Sequence, residues 1–143
     1  MENSDKILWR SDYDTGIQEI DEQHRILVNT INEAGKKLSK DSSIEALQDI
    51  TKDLLSYALY HFETEEEMMK KYNYKVYNQE ECETHMQQHR DFSAQIVTIR
   101  ESIKTAKPMR KEELIEFLTN WLINHINNID KKLATFLKIK QRS

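Results

Sequence analysis

The histidines are the residues of this chain whose type and spacing point most directly to chemistry. All five lie where a helical pattern of apolar side chains would otherwise continue: His24, His61, His85, His89 and His125. One histidine on an apolar face is usually a core residue with satisfied ring nitrogens. Five such rings need many buried partners, because each unsatisfied group costs about 1–3 kcal/mol. A bound metal ion removes that cost, since neutral imidazole is a common ligand for iron, zinc and copper.

Spacing adds one carboxylate to this set. In the run HFETEEEMMKKY, residues 61–72, Glu65 follows His61 by four positions. Glu65 therefore lies about 40° from His61 around a helix, on the same buried face. The other glutamates of the run lie off that face, and we expect them to face water: Glu63, Glu66 and Glu67.

His85 and His89, in the sequence HMQQH, also have i,i+4 spacing, so one helical face presents both rings to one ion. Five histidines and one inward carboxylate exceed the four ligands of a tetrahedral zinc site. They suit two five- or six-coordinate iron ions with a carboxylate bridge, because iron accepts mixed nitrogen and oxygen ligands. The residues alone therefore predict a dinuclear metal site in the core.

Four helical segments must position these ligands. Their apolar stripes run from Ile20 to Leu38, from Leu47 to Tyr72, from Phe92 to Ile103 and from Leu114 to Phe136. The joins between them, near residues 40–43, 73–79 and 106–111, are short, which favours antiparallel neighbours. The sequence thus predicts an all-α fold, an up-down-up-down antiparallel four-helix bundle.

The length of the chain suits one core, so we expect residues 1–143 to form a single domain. Within it, residues 1–18 are expected to be an N-terminal arm and residues 19–143 the bundle. At the start of the second helix, Ser42 and Glu45 fit a capping box, in which each side chain accepts a hydrogen bond from a free backbone N–H group.

Composition excludes several classes of protein. Two glycines and one proline are too few for an all-β fold with many turns. The net charge of −4 gives no basic surface for nucleic acid, and the one cysteine, Cys82, cannot form an internal disulfide. No apolar run reaches the roughly 18 residues that span a bilayer, and the start MENSDKILWR has no apolar signal-peptide segment. We therefore expect a cytoplasmic protein without a membrane or nucleic-acid partner.

Four motifs in this order resemble the hemerythrin family, in particular the bacterial hemerythrins: DEQH (21–24), HFETEE (61–66), HMQQH (85–89) and HINNID (125–130). The resemblance runs from Trp9 through the fourth helix. It implies two iron ions that are also bridged by an oxo or hydroxo group. It implies seven protein ligands: His85, His89 and His125 for the first iron, His24 and His61 for the second, and Glu65 and Asp130 as bridges between the two.

Asp130 enters this set mainly through the resemblance. It follows His125 by five positions, which places it about 140° away around a regular helix, so periodicity does not select it. It does lie about 40° beyond Ile126, at the edge of a broad apolar arc. A ligand at that edge can still reach inward, or a local π-type turn would bring its side chain inward.

The resemblance also implies a function. The second iron, which has fewer protein ligands, would keep an open position where dioxygen binds reversibly and is reduced to hydroperoxide. Five apolar residues would line the oxygen pocket, although each would also suit ordinary core packing: Leu27, Phe62, Trp121, Leu122 and Ile126.

We therefore expect an oxygen carrier, store or delivery protein rather than an enzyme. Two alternatives stay open: an oxygen or redox sensor, and a diiron enzyme such as a peroxidase or a nitric oxide reductase. The sequence lacks the two Glu-x-x-His motifs of ferritin-like oxidases, and its histidine-rich ligand set argues for milder chemistry. A protein partner that receives oxygen or a signal would fit the carrier and the sensor alike.

Overall fold

The structure, a computed structural model, describes residues 7–41, 43–105 and 110–142. The first six residues of the predicted N-terminal arm lie outside this part of the chain. The described residues are mostly helical, contain no β-strand, and begin with a 3-10 turn at Ser11–Tyr13. The helices follow in the order α1 (Gln18–Lys40), α2 (Ile44–Lys71), α3 (Tyr74–Tyr77), α4 (Gln79–Ser102), α5 (Lys111–His125), a π-helical turn (Ile126–Asp130) and α6 (Lys131–Arg142).

Four long helical units form the bundle, and the prediction of an all-α bundle is confirmed. The first three units are α1, α2 and α4. The fourth unit consists of α5, the π-helical turn and α6, which follow one another without a break. α1 packs against α2 and α5, and α2 also packs against α4. Among the described helices, none combines the length and the apolar character that crossing a bilayer requires.

At two helix ends, the structure differs from what the sequence predicted. Asn73 has a φ of 60°, a left-handed conformation that asparagine adopts more readily than most residues, and it separates α2 from the unpredicted helix α3. Tyr74 at the start of α3 is 1% exposed, so this join is anchored in the core. At the start of α2, the hydroxyl of Ser43 accepts a hydrogen bond from the N–H of Ala46 at 3.1 Å. The predicted capping residue Ser42 lies outside the described residues.

The segment before α1 is fastened to that helix by side chains of α1 itself. The amide of Asn32 accepts a hydrogen bond from the N–H of Ile7 and donates one to its carbonyl, both at 2.8 Å. The carboxylate of Asp21 accepts hydrogen bonds from the backbone N–H groups of Thr15 and Gly16. These bonds pair backbone groups of the segment before α1 and hold that segment against the helix.

Buried apolar side chains form two clusters. The large core contains Ile7 and the buried apolar residues of segments 27–62, 92–103 and 114–126. The small core contains Ile17, Ile20, Met69, Tyr74, Cys82, Leu133, Ala134, Phe136 and Leu137. The predicted ligands lie where these two cores meet. On α1, for example, His24 lies between Ile20 of the small core and Leu27 of the large core.

Candidate metal centre

The structure brings all seven predicted ligand residues into one buried layer between the two cores. None of them is more than 2% exposed. The four long units contribute His24 from α1, His61 and Glu65 from α2, His85 and His89 from α4, and His125 and Asp130 from α5 and the π-helical turn. The i,i+4 pairs therefore place both of their members inside, as helical spacing predicted.

These residues fall into two groups that share both carboxylates. The three-histidine group consists of His85, His89 and His125 with Glu65 and Asp130. The two-histidine group consists of His24 and His61 with the same two carboxylates. In each group, one candidate ligand atom from every residue lies within 4.8 Å of the others, which is close enough to surround an ion. The division is the one that the family resemblance implies.

Nε2 of His89 lies at hydrogen-bond distance, 3.1 Å, from Oε1 of Glu65, but the contacts around Asp130 fit metal ligation better than hydrogen bonding. Nε2 of His24 lies 2.7 Å from Oδ2 of Asp130, and the Nε2 atoms of His85 and His125 lie 3.0 and 3.1 Å from its Oδ1. Nevertheless, neither these nitrogens nor the two oxygens have a hydrogen-bond partner in the described part of the chain. Adjacent ligands of an octahedral ion, each about 2.1 Å from the metal, lie about 3 Å apart. The nitrogen and oxygen atoms are thus spaced like neighbouring ligands, and this imidazole and carboxylate set suits iron.

Three of the five rings are oriented by a polar partner on their second nitrogen. Nδ1 of His61 lies 2.6 Å from Oε1 of Gln23, and Nδ1 of His125 lies 2.8 Å from Oε1 of Gln88. Nδ1 of His89 lies 2.8 Å from a carboxylate oxygen of Glu66. An acceptor on Nδ1 leaves the lone pair on Nε2, which is the nitrogen that faces the layer. Sequence reasoning missed both glutamines, although each directly precedes a ligand histidine in its motif.

Glu66 corrects one expectation about the acidic run. Its side chain was expected to face water, but it is only 36% exposed and accepts the hydrogen bond of His89. A single-helix projection could not show this contact, because it depends on α4 packing against the flank of α2 on which Glu66 lies. Glu63 and Glu67 are exposed, as expected.

The π-helical turn explains how Asp130 reaches the layer. The N–H of Lys131 donates to the carbonyl of Ile126, five residues earlier, instead of four as in an α-helix. The wider turn rotates position i+5 back towards position i, so Asp130 comes to within 3.1 Å of His125. Single π turns inside α-helices occur frequently at functional sites.

An apolar cavity of about 20 Å³ adjoins the layer on the side of the large core, with room for one small molecule. Four of the five residues predicted for the oxygen pocket line it: Leu27, Phe62, Trp121 and Leu122. Ile126 is fully buried in the large core but is not among the lining residues. Sequence reasoning did not select five further apolar lining residues: Ile31, Leu54, Ala58, Phe92 and Leu118.

The layer reaches this cavity through the rings of His61 and His125, which also line it. Aromatic side chains hold the neighbouring rings in place. Phe62 stacks on His89 with ring centres 3.9 Å apart, and Trp121 stacks on His125 with ring centres 4.4 Å apart. Stacked aromatic pairs of this kind add to the energy of burial.

A family model described as the hemerythrin HHE cation binding domain matches residues 15–137. The chain belongs to the hemerythrin family. The matched range contains every residue of the buried layer, so the cluster found in the structure lies within the cation-binding domain of this family.

Curated members of the family cover most of this chain. A bacteriohemerythrin of Pseudomonas aeruginosa is 30% identical over 124 residues, which is 87% of this chain and 76% of that protein. A bacteriohemerythrin of Stenotrophomonas maltophilia is 26% identical over 132 residues, 92% of this chain and 82% of that protein. A myohemerythrin of Theromyzon tessulatum is 29% identical over 124 residues, 87% of this chain and 88% of that protein.

The charges of this hemerythrin-family layer depend on one another. Burial and the Asp130 carboxylate act to raise the pKa of Glu65, but the nearby histidines, His61 first among them, outweigh both and lower it to about 2. Burial acts to lower the pKa of His85, but the carboxylates of Asp130 and Glu65 raise it to about 10. Burial lowers the pKa of His61 to about 4. At neutral pH the metal-free layer therefore holds ionised carboxylates beside a protonated His85, and an ion that binds this ring must displace its proton.

Proposed function

We propose that this protein binds two iron ions in the buried layer and uses them to bind dioxygen reversibly, as an oxygen carrier, store or delivery protein. The observation that carries the proposal is the pair of ligand groups that share Glu65 and Asp130 beside an apolar cavity. The three-histidine group would hold one iron and the two-histidine group the other. With an oxo or hydroxo bridge, the pair of irons would supply the electrons that reversible dioxygen binding needs.

The two groups assign different tasks to the two ions. In the three-histidine group, three rings and two shared carboxylates occupy five positions of an ion, which leaves a bridging group to complete six. In the two-histidine group, two rings and the same carboxylates occupy only four. An external ligand would therefore bind at the two-histidine ion, and its ligand His61 lines the cavity.

The chemistry of the cavity favours release of dioxygen unchanged. Among the residues that line it, none carries a carboxyl group, and the titratable ones are His61 and His125. Burial lowers the pKa of both rings, so both are neutral at physiological pH. No side-chain acid then stands ready to protonate bound dioxygen, and such protonation is what would promote O–O cleavage or loss of peroxide. The apolar walls also exclude water.

The direct test is an optical one. The purified protein is loaded with iron, its iron content is counted, and it is reduced without air and then exposed to air. We expect two irons per chain and a visible absorption band that appears with air and disappears when air is removed. A protein without this reversible band is not an oxygen carrier. In that case, steady turnover of peroxide or nitric oxide would indicate an enzyme, and an oxygen-dependent change in a partner contact would indicate a sensor.

A further inference from the structure

A line of hydrogen bonds leads from the backbone of α2, through α1, to the ring of His61. The hydroxyl of Thr64 donates to the carbonyl of Tyr60 at 3.2 Å. The amide nitrogen of Gln23 donates to the oxygen of Thr64, also at 3.2 Å. The amide oxygen of Gln23 lies 2.6 Å from Nδ1 of His61. Gln23 is 6% exposed, so water competes little for this amide.

The direction of each bond follows from the one before it. A carbonyl only accepts, so the single hydroxyl hydrogen of Thr64 is used on Tyr60, and its oxygen is left to accept. The partner that Gln23 presents to Thr64 must then be its NH2 group, and its carbonyl oxygen must face His61. An amide oxygen also only accepts, so Nδ1 of His61 carries the ring proton. The neutral ring then has its lone pair on Nε2, which lies 3.5 Å from a carboxylate oxygen of Glu65 and has no hydrogen-bond partner in the described residues.

We propose that Thr64 and Gln23 are positioning residues that lock His61 in the tautomer able to bind metal. A glutamine amide is nearly symmetric in shape and can rotate by 180°, which exchanges its donor and its acceptor. In the rotated state its NH2 group would face Nδ1, the ring proton would move to Nε2, and Nε2 would no longer offer a lone pair to the ion. Thr64 opposes this rotation because the carbonyl oxygen of Gln23 would then face the oxygen of Thr64, whose only hydrogen would have to leave the carbonyl of Tyr60 to bond it.

The three-histidine group needs no such lock at His89. Its partner Glu66 is a carboxylate, which accepts through either oxygen and has no wrong orientation. His125 of that group also faces a glutamine amide, that of Gln88. The lock on His61 acts at the ion with fewer protein ligands, where the loss of one ring leaves His24 and the shared carboxylates alone. This inference rests on the proposed role of His61 as a ligand.

The first test measures the tautomer itself. Thr64→Val keeps the shape of the side chain and removes the oxygen. The matched control is Thr98→Val, because the hydroxyl of Thr98 also bonds the carbonyl four residues earlier but on an exposed face. Nitrogen-15 NMR of metal-free protein at neutral pH should show the proton of His61 on Nδ1 in the wild type and in the control. In Thr64→Val the form with the proton on Nε2 should become populated.

The second test uses loaded protein and needs no metal-free state. Outer partners of ligand histidines typically contribute 10–100-fold to metal affinity. We expect Thr64→Val to release half of its metal to a chelator about tenfold faster than the wild type. The measurement is made on zinc-loaded protein, so the result does not depend on dioxygen binding. A failed optical test would contradict the proposed function, but it would not affect the measurement of metal release.

A second substitution that restores the function of Thr64→Val would distinguish a positioning role of Thr64 from a packing role. Gln23→Glu placed in the Thr64→Val background provides a carboxylate that cannot present a donor to His61, so it should restore both the tautomer and slow metal release. If Thr64→Val behaves like Thr98→Val in either test, the lock does not exist. If the double variant stays as impaired as Thr64→Val, Thr64 acts through packing and the proposal is wrong.

Discussion

The three-histidine and two-histidine groups of the buried layer share two carboxylates, but their rings are held in place in different ways. In the first group, His89 and His125 each have an aromatic ring stacked on one face and a polar partner on Nδ1. In the second group, His24 and His61 meet edge to face at 4.8 Å. There, the amide of Gln23 orients His61. In the proposed centre, the first group would give its ion a nearly full set of protein ligands, and the second would leave room for a ligand from outside.

The largest expected effect comes from a residue that belongs to both groups. Glu65→Ala should lose both irons, because each group loses a carboxylate and the positive charge of two ions is left with Asp130 alone. The variant should also lose metal-linked stability, which is about 2.7 kcal/mol for an ion present at a hundredfold its Kd. Iron content and thermal unfolding with and without metal measure both effects. Glu67→Ala is the control and should keep both irons, since Glu67 is exposed. Equal iron content in the two variants would contradict the assignment of Glu65.

A smaller effect should separate the two groups. His61→Ala leaves the second group with one ring and the shared carboxylates, whereas the three-histidine group stays whole. We expect this variant to retain about half of the iron and to show no reversible absorption band. His89→Ala, which instead damages the three-histidine group, should lose more iron than His61→Ala. The reverse order would show that the two-histidine group binds its ion more tightly.

The charges of the metal-free layer predict a dependence on pH. The pKa of His85 is raised to about 10 in the folded protein, above its usual value of 6.5. Its stabilising contribution is therefore fully present below about pH 6.5 and is lost as the pH rises through about 10. Urea unfolding of metal-free protein should show decreasing stability over this range, and His85→Gln should flatten the decrease. Because the ring must lose its proton to bind an ion, metal loading at neutral pH should also release protons. Loading without proton release would contradict the protonated state.

The smallest expected effect concerns the cavity. Ala58→Val adds two methyl groups to a wall of a cavity of about 20 Å³. We expect unchanged iron content, slower dioxygen association and a stability loss of about 1–3 kcal/mol from overpacking. Ala34→Val is the matched control, because Ala34 is buried in the same core but does not line the cavity. If both variants bind dioxygen at the same rate, this cavity is not its path or its site.

The sequence predicted the parts of the centre that obey regular helical spacing. His61 with Glu65 and His85 with His89 lie inward because i and i+4 share a face of any α-helix. Asp130 does not obey this rule, and mainly the family resemblance pointed to it. The structure supplies the reason, since a π-helical turn that ends at Asp130 breaks the regular rotation. The same turn begins at Ile126, which was predicted for the pocket wall but does not line the cavity.

The polar side chains that contact the ligand residues could not be predicted from the sequence, for a different reason. Glu66 was wrongly assigned to water, and Gln23, Gln88 and Thr64 were not selected at all. Each of these side chains makes its decisive contact across two helices, for example from α1 to α2 in the case of Gln23 and His61. Periodicity gives the face of one helix, but it does not give the distance or rotation between two neighbours.

The measurement that tests the central claim most directly is a gas titration of the iron-loaded, reduced protein. Known amounts of dioxygen are added, uptake is measured, and the gas is then recovered by evacuation. We expect uptake of about one dioxygen for each pair of irons and nearly complete recovery as dioxygen, with none taken up by Glu65→Ala. Uptake that continues beyond this ratio, or dioxygen that cannot be recovered, would contradict reversible binding in a layer that lacks a side-chain acid beside its cavity.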